Sequence, residues 1–152
     1  MKKKELTKEF KEKYNNFVHS VELLDLFISE LSFKRLGFPP EDGDIPIKVS
    51  LRATKNSYEK VDKNIYEITH SVSFKLETFD KKEPKKKNKF FELKATYKLI
   101  YQSELELDDE IFELFSKRNI PVNIIPFLRE TIHNSMYRAG LPPFLLPVVK
   151  FD

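Results

Sequence analysis

The chain has 152 residues, 40% of them hydrophobic, which is enough for one core of ordinary size and leaves no room for a second folded domain. It contains no cysteine, so disulfides, thiolate metal sites and a cysteine nucleophile are excluded by counting. The net charge of +3 is accounted for by six Lys against three Glu in the first twenty residues, so the rest is formally neutral and lacks the localised basic excess of nucleic-acid binders.

Leu6, Phe10, Tyr14, Phe17, Val18 and Val21 recur at spacings of three and four, which predicts an amphipathic helix over residues 4–19. Its apolar stripe needs a cover, either the rest of the chain or a subunit neighbour, with a membrane surface as the alternative. Lys2, Lys3 and Lys4 open the chain as a signal peptide does, but Glu5, Glu9 and Glu12 interrupt the apolar run such a segment needs. No apolar stretch approaches the roughly 20 residues of a membrane helix. The expected location is therefore the cytoplasm, without membrane insertion.

From Val21 to Phe38 the pattern becomes strand-like, with Leu24, Leu26 and Ile28 on one phase and Leu31 and Phe33 on the other, which predicts a bulge near Ser29. Gly37, Pro39, Pro40 and the Glu41–Asp44 stretch form a loop. Ile45, Ile47, Val49, Leu51 and Ala53 alternate as a second strand. Tyr66, Ile68, His70, Val72, Phe74 and Leu76 mark a third, and Phe91, Leu93, Ala95, Tyr97, Leu99 and Tyr101 a fourth. Successive strands with one apolar and one polar face describe an antiparallel sheet covered on one side and wet on the other. Between the third and fourth, Asp80 to Lys89 reads as an exposed hairpin tip.

The cover follows in sequence. Asp108 or Asp109 caps a short helix holding Ile111, Leu114 and Phe115, which Asn119 and Pro121 are expected to end. A second helix, from about Asn123 to Gly140, carries Ile125, Leu128, Ile132, Met136 and Ala139 and tolerates Pro126 in its first turn. The proline-rich tail from Leu141 reads as extended. The organisation is an N-terminal amphipathic helix over residues 1–20 followed by an α+β domain over 21–152, a four-stranded antiparallel sheet with helices packed on one face.

Catalytic chemistry finds no foothold. His19, His70 and His133 fall in different elements without ligand spacing, so neither a metal nor another cofactor is expected. No nucleophile elbow or phosphate loop exists among three glycines, and the expectation is a protein that is not an enzyme. Lys2–Lys4 and Lys85–Lys87 are short basic runs without interleaved aromatics, read as solvated charge rather than nucleic-acid contacts. Arg129 and Glu130 are neighbours on a helix and point apart, as ion-pair partners of different groups.

The C-terminal residues carry a specific resemblance. Pro126-Phe-Leu-Arg-Glu-Thr-Ile, then Arg138, then Leu141-Pro142, then Pro147-Val-Val-Lys-Phe151 resemble the signature of the SecB export chaperones, with the late proline displaced by one residue. Upstream, Ile28-Ser-Glu-Leu-Ser-Phe33 is similar to the family's first strand and Asn64-Ile-Tyr-Glu-Ile68 to its third, so the resemblance spans residues 24–151. It implies a four-stranded sheet with helices on one face, assembly as a homo-oligomer, dimer or tetramer, and hydrophobic grooves that hold unfolded polypeptide without ATP.

Phenylalanine suits such a groove, since it buries much area and needs no hydrogen-bond partner. The candidates are Phe27, Phe33, Phe38, Phe112, Phe115, Phe127 and Phe144. The resemblance also implies docking to the translocase ATPase SecA through an acidic sheet surface. Here Glu30 keeps one acidic position and Lys34 stands where the second is expected. The sequence departs from the family in its basic N-terminal helix and in ending at Asp152, where members usually continue into a further helix. Three readings follow: a general holdase, with export precursors among its clients; a single-client chaperone of a toxin-antitoxin system; or a non-chaperone interaction module with the same fold.

Overall fold

In the computed structural model, which describes residues 6–41, 45–79, 82–83 and 85–142, two helices pack on one face of a four-stranded antiparallel sheet. The elements are α1 (Lys8–Ser20), β1 (Glu22–Arg35), β2 (Ile47–Asp62), β3 (Ile65–Phe79), β4 (Lys87–Gln102) and α2 (Asp109–Arg138). The strand order is β1-β4-β3-β2, so β3 and β4 are central and β1 and β2 are the two edges. The tail after Pro142, most of the Glu41–Asp44 loop and part of the Asp80–Lys89 tip lie outside the described residues.

Thr7 starts α1 by accepting the Phe10 amide at 3.2 Å. The stripe then turns onto α2. The Phe17 ring meets Phe115 edge-on at 5.5 Å, the Tyr14 hydroxyl donates to Asn119 Oδ1, and Lys13 Nζ reaches Asp108 at 2.5 Å. The apolar face of α1 is therefore covered by its own chain, with Tyr14 and Phe17 buried in the shared core.

The strands form where alternation was legible and extend beyond it. β3 and β4 bury Tyr66, Ile68, Val72, Phe74 and Leu76 against Phe91, Leu93, Ala95, Tyr97, Leu99 and Tyr101 on one face. In β1 the register slips between Ile28 and Glu30, as the phase change near Ser29 demands. The bulge puts Leu26 and Ile28, opposite Leu99 and Tyr97, on the same face as Leu31 and Phe33, opposite Ala95 and Leu93. β2 outruns the alternation that ends at Ala53, because the ladder to β3 continues to Asp62↔Ile65. Lys63 and Asn64 close that hairpin, with Asn64 in the left-handed region at φ 60°.

The expected break at Asn119 and Pro121 does not occur: α2 is one helix of 30 residues with both Pro121 and Pro126 inside it. Its buried residues run Ile111, Phe115, Ile120, Ile124, Leu128, Ile132 and Met136, so the core contact continues on both sides of Pro121. Each proline removes one helical hydrogen bond, from the carbonyls of Lys117 and Val122, and both residues are exposed, where water can replace it. Tertiary burial overrides the local signal. Asp108 caps the start, accepting the Ile111 amide at 2.9 Å, and Gly140 at φ 69° ends it.

The course of α2 across the sheet is oblique. At its start Phe112 lies 4.7 Å from the Tyr58 ring of edge strand β2, and Asp109 accepts the Tyr58 hydroxyl at 2.7 Å. Midway, Phe115 packs on Tyr101 of β4 at 5.2 Å and Asn123 donates to the Tyr101 hydroxyl at 2.7 Å. At its end, Arg35 of β1 donates to the Ala139 and Gly140 carbonyls at 2.9 and 3.3 Å.

Candidate functional site

Because α2 crosses obliquely, it does not roof β1 evenly. Between the last three turns of α2 and β1 lies a groove of about 370 Å³, lined by Leu26, Ile28 and Leu31 from β1, by Tyr97, and by Phe127, Glu130, Thr131, Asn134, Ser135 and Arg138 from α2. Ile28, Leu31 and Phe127 are 39%, 42% and 45% exposed, so the groove offers apolar area to a ligand at little cost to the core. Its α2 wall alternates chemistry at helical spacing: Phe127, Thr131 and Ser135 lie on one line, Glu130, Asn134 and Arg138 on the next.

The wall is held from behind. The Tyr97 hydroxyl donates to Thr131 Oγ1 at 2.9 Å, and Thr131 in turn donates to the Phe127 carbonyl at 2.8 Å. Burial pushes the Tyr97 phenol above its ordinary pKa, so it stays protonated and keeps donating. Among the described residues β1 is an edge strand paired only with β4, and one row of its peptide groups is free of the ladder.

The sequence-derived residues distribute unevenly. Phe127 lines the groove, but Phe27, between Leu26 and Ile28 and opposite Lys98, turns its side chain to the open face of the sheet and is not a groove side chain. Phe38, 84% exposed, stands just past β1 with the Arg35 guanidinium 4.9 Å from its ring centroid, near the end of α2. Phe33 is half-buried against Phe91, and Phe112 is half-buried against Tyr58 at the far end of α2. Phe115 belongs to the core, not to a binding surface: it is 1% exposed, between Phe17 and Tyr101. Phe144 lies outside the described residues. Glu30 and Lys34 stand on the open face of the sheet, opposite Thr96 and Glu92. Leu26, Ile28 and Leu31 complete the groove and were read only as strand residues. Their signal was the bulge itself, which puts an apolar run of both phases on one face.

Among the described residues no group of three or more His, Cys, Asp or Glu is placed to hold a metal. His70 is buried on β3 beside Asn56, and burial lowers its pKa to about 4, so it is a neutral core residue. No described helix is long and apolar enough to cross a membrane.

With the groove in place, the comparisons are decisive at the level of family. A profile described as preprotein translocase subunit SecB matches residues 15–152. The chain belongs to the SecB family. The match begins inside α1 and runs through the sheet and α2. A SecB-like chaperone of Mycobacterium tuberculosis, solved in complex with a ChAD peptide from the HigA1 antitoxin, is similar with a TM-score of 0.73 at 10% identity, over 93% of this chain and 99% of that one. A Streptococcus agalactiae protein of unknown function aligns with a TM-score of 0.44 at 11% identity, over 84% and 97%. No curated protein matches the sequence. The first likeness is one of fold, and the SecB architecture is shared nearly end to end.

Proposed function

We propose that this SecB-family protein is an ATP-independent holdase that captures unfolded polypeptide in the groove between β1 and α2. The observation that carries the reading is the exposed apolar lining of Ile28, Leu31 and Phe127 beside a strand edge that is unpaired among the described residues. An extended client segment can place apolar side chains on that lining while its peptide groups meet the free edge of β1. Apolar burial supplies about 25 cal/mol per Å², and the ordering of the client offsets part of it, so one groove binds moderately and several grooves in an oligomer bind tightly. Ile47, Val49 and Leu51 on edge strand β2 are also exposed, and a second copy of the chain is the cover the proposal gives them. The chemistry uses no cofactor, and the expected setting is the cytoplasm.

The test is suppression of aggregation of a chemically unfolded substrate at near-stoichiometric protein without ATP, with the mass of the complex followed by light scattering. Suppression with a stable complex supports the holdase. A correctly folded sample that neither suppresses aggregation nor forms a complex removes it.

A second reading, a dedicated chaperone for one antitoxin-like client, is favoured by the Mycobacterium relative, whose structure holds an antitoxin peptide on the same fold. Binding confined to one cognate segment, with no general suppression, selects it. Delivery to SecA stays outside the proposal, because the open face around Glu30 also carries Lys34, Lys75 and Lys94.

A further inference from the structure

We propose that the open face of the sheet, around Arg52, Lys75 and Lys94, is a docking site for an acidic polypeptide segment. This surface lies on the opposite side of the sheet from α2 and the client groove. Its register is ordered: Arg52, Ser73, Lys94 and Ser32 form one cross-strand row, and Ser50, Lys75, Glu92 and Lys34 form the next. With strands about 4.8 Å apart, Arg52 and Lys94 are rooted about 10 Å from each other, with Lys75 between them one row on.

The centre is hollow because its floor is small. Ser71, Ser73 and Thr96 lie at the base of a depression of about 630 Å³, with the long cationic side chains around it. The Ser71 and Thr96 hydroxyls bond each other at 2.8 Å, which leaves the lining cations as the groups able to meet a ligand's charge. Arg52, Lys55, Lys75 and Lys94 form no salt bridge among the described residues. The acids present do not balance them. Glu92 is held by Lys89 at 2.7 Å, and that bond, with Lys34 and Lys94 nearby, keeps its carboxyl below the usual range. Glu30 alone faces the remaining four cations.

Complementarity identifies the occupant. Carboxylates on alternate residues of an extended chain stand about 7 Å apart, which matches the distance between the two rows. A nucleic acid fits less well: no aromatic side chain lines the depression to stack a base, and Glu30 and Glu92 interrupt the track a continuous polyphosphate needs. Contacts of this kind are exposed, so they are screened by salt and set encounter and orientation more than affinity.

The experiment is fluorescence anisotropy of a labelled twelve-residue peptide of alternating Glu and Ser with the full chain. It should bind at about 50 mM salt and weaken about tenfold or more at about 300 mM. Arg52→Glu/Lys94→Glu should abolish peptide binding while capture of an unfolded apolar client stays within about twofold. Arg52→Gln/Lys94→Gln should give an intermediate loss with the circular dichroism spectrum unchanged. The proposal is overturned if the peptide fails to bind at low salt, or if binding survives the double reversal. It is equally overturned if Lys85→Ser/Lys86→Ser/Lys87→Ser removes the binding instead, or if a single-stranded oligonucleotide of equal charge binds more tightly through the same residues.

Discussion

Phe127→Ala is the sharpest probe of the groove, because its effect on binding and its effect on folding separate. A phenylalanine buries about 200 Å² when fully enclosed, and Phe127 is 45% exposed in the free protein. A client that covers this remainder gains, at about 25 cal/mol per Å², about 2 kcal/mol. Loss of the ring should then weaken capture of a permanently unfolded polypeptide by about tenfold to fortyfold per groove. The fold should barely register the change, since the core side of α2 at this level is held by Leu128, Thr131 and Ile132, all buried. The assay is equilibrium anisotropy of a labelled, reduced and alkylated substrate, with the urea midpoint measured on the same sample. Leu31→Ala, 42% exposed across the groove, should behave alike. Client affinity within twofold of wild type in the double variant, with the urea midpoint unchanged, would refute the assignment of this groove.

Three further outcomes are expected. His70 is neutral in the fold with a pKa of about 4 against 6.5 when free, so the unfolded chain binds the extra proton between those values and stability is lost as pH falls through that window. By pH 5 the loss is about 2 kcal/mol, read as a fall in the urea midpoint that His70→Gln should flatten. Phe115→Ala should cost about 3–5 kcal/mol by calorimetry or urea unfolding, because its ring joins α1 through Phe17 to the sheet through Tyr101. Asp108→Ala removes both the α2 cap and the partner of Lys13. It should lower stability by about 1 kcal/mol by urea unfolding, and a loss no greater than that of an exposed Glu104→Ala control would contradict the capping role.

The central sheet was legible because half-buried strands write their geometry into alternate residues, and Tyr66–Leu76 and Phe91–Tyr101 do so without interruption. The bulge at Ser29 was legible for the same reason, since a change of phase has few other causes. The second half of β2, from Thr54 to Asp62, was not: as an edge strand with most side chains in water, it is held by its ladder to β3 and not by burial, so its sequence is free of pattern. The continuity of α2 was hidden by Asn119 and Pro121, residues that usually end helices. Here Asn119 serves Tyr14 and Asn123 serves Tyr101, contacts no local window contains. At the site, the apolar type of Phe127 was visible, but whether a given phenylalanine is core or surface is a matter of tertiary placement. Phe115 and Phe127 are both apolar residues of one helix, and only the path of α2 over the sheet sends the first inward and leaves the second open.

The strand order has a consequence for how the chain is made. β2, β3 and β4 are joined as consecutive hairpins and can pair as each is completed, whereas among the described residues β1 pairs only with β4, whose last residue, Gln102, comes 67 residues after the end of β1. During synthesis the apolar run of Leu23, Leu24, Leu26, Phe27, Ile28, Leu31 and Phe33 must therefore wait, unpaired, until nearly the whole sheet has left the ribosome. Such long-range closure is slow and exposes the waiting segment to aggregation. A protein proposed to shield the sticky stretches of others thus passes through a nascent stage in which its own client-binding strand is the stretch in need of shielding.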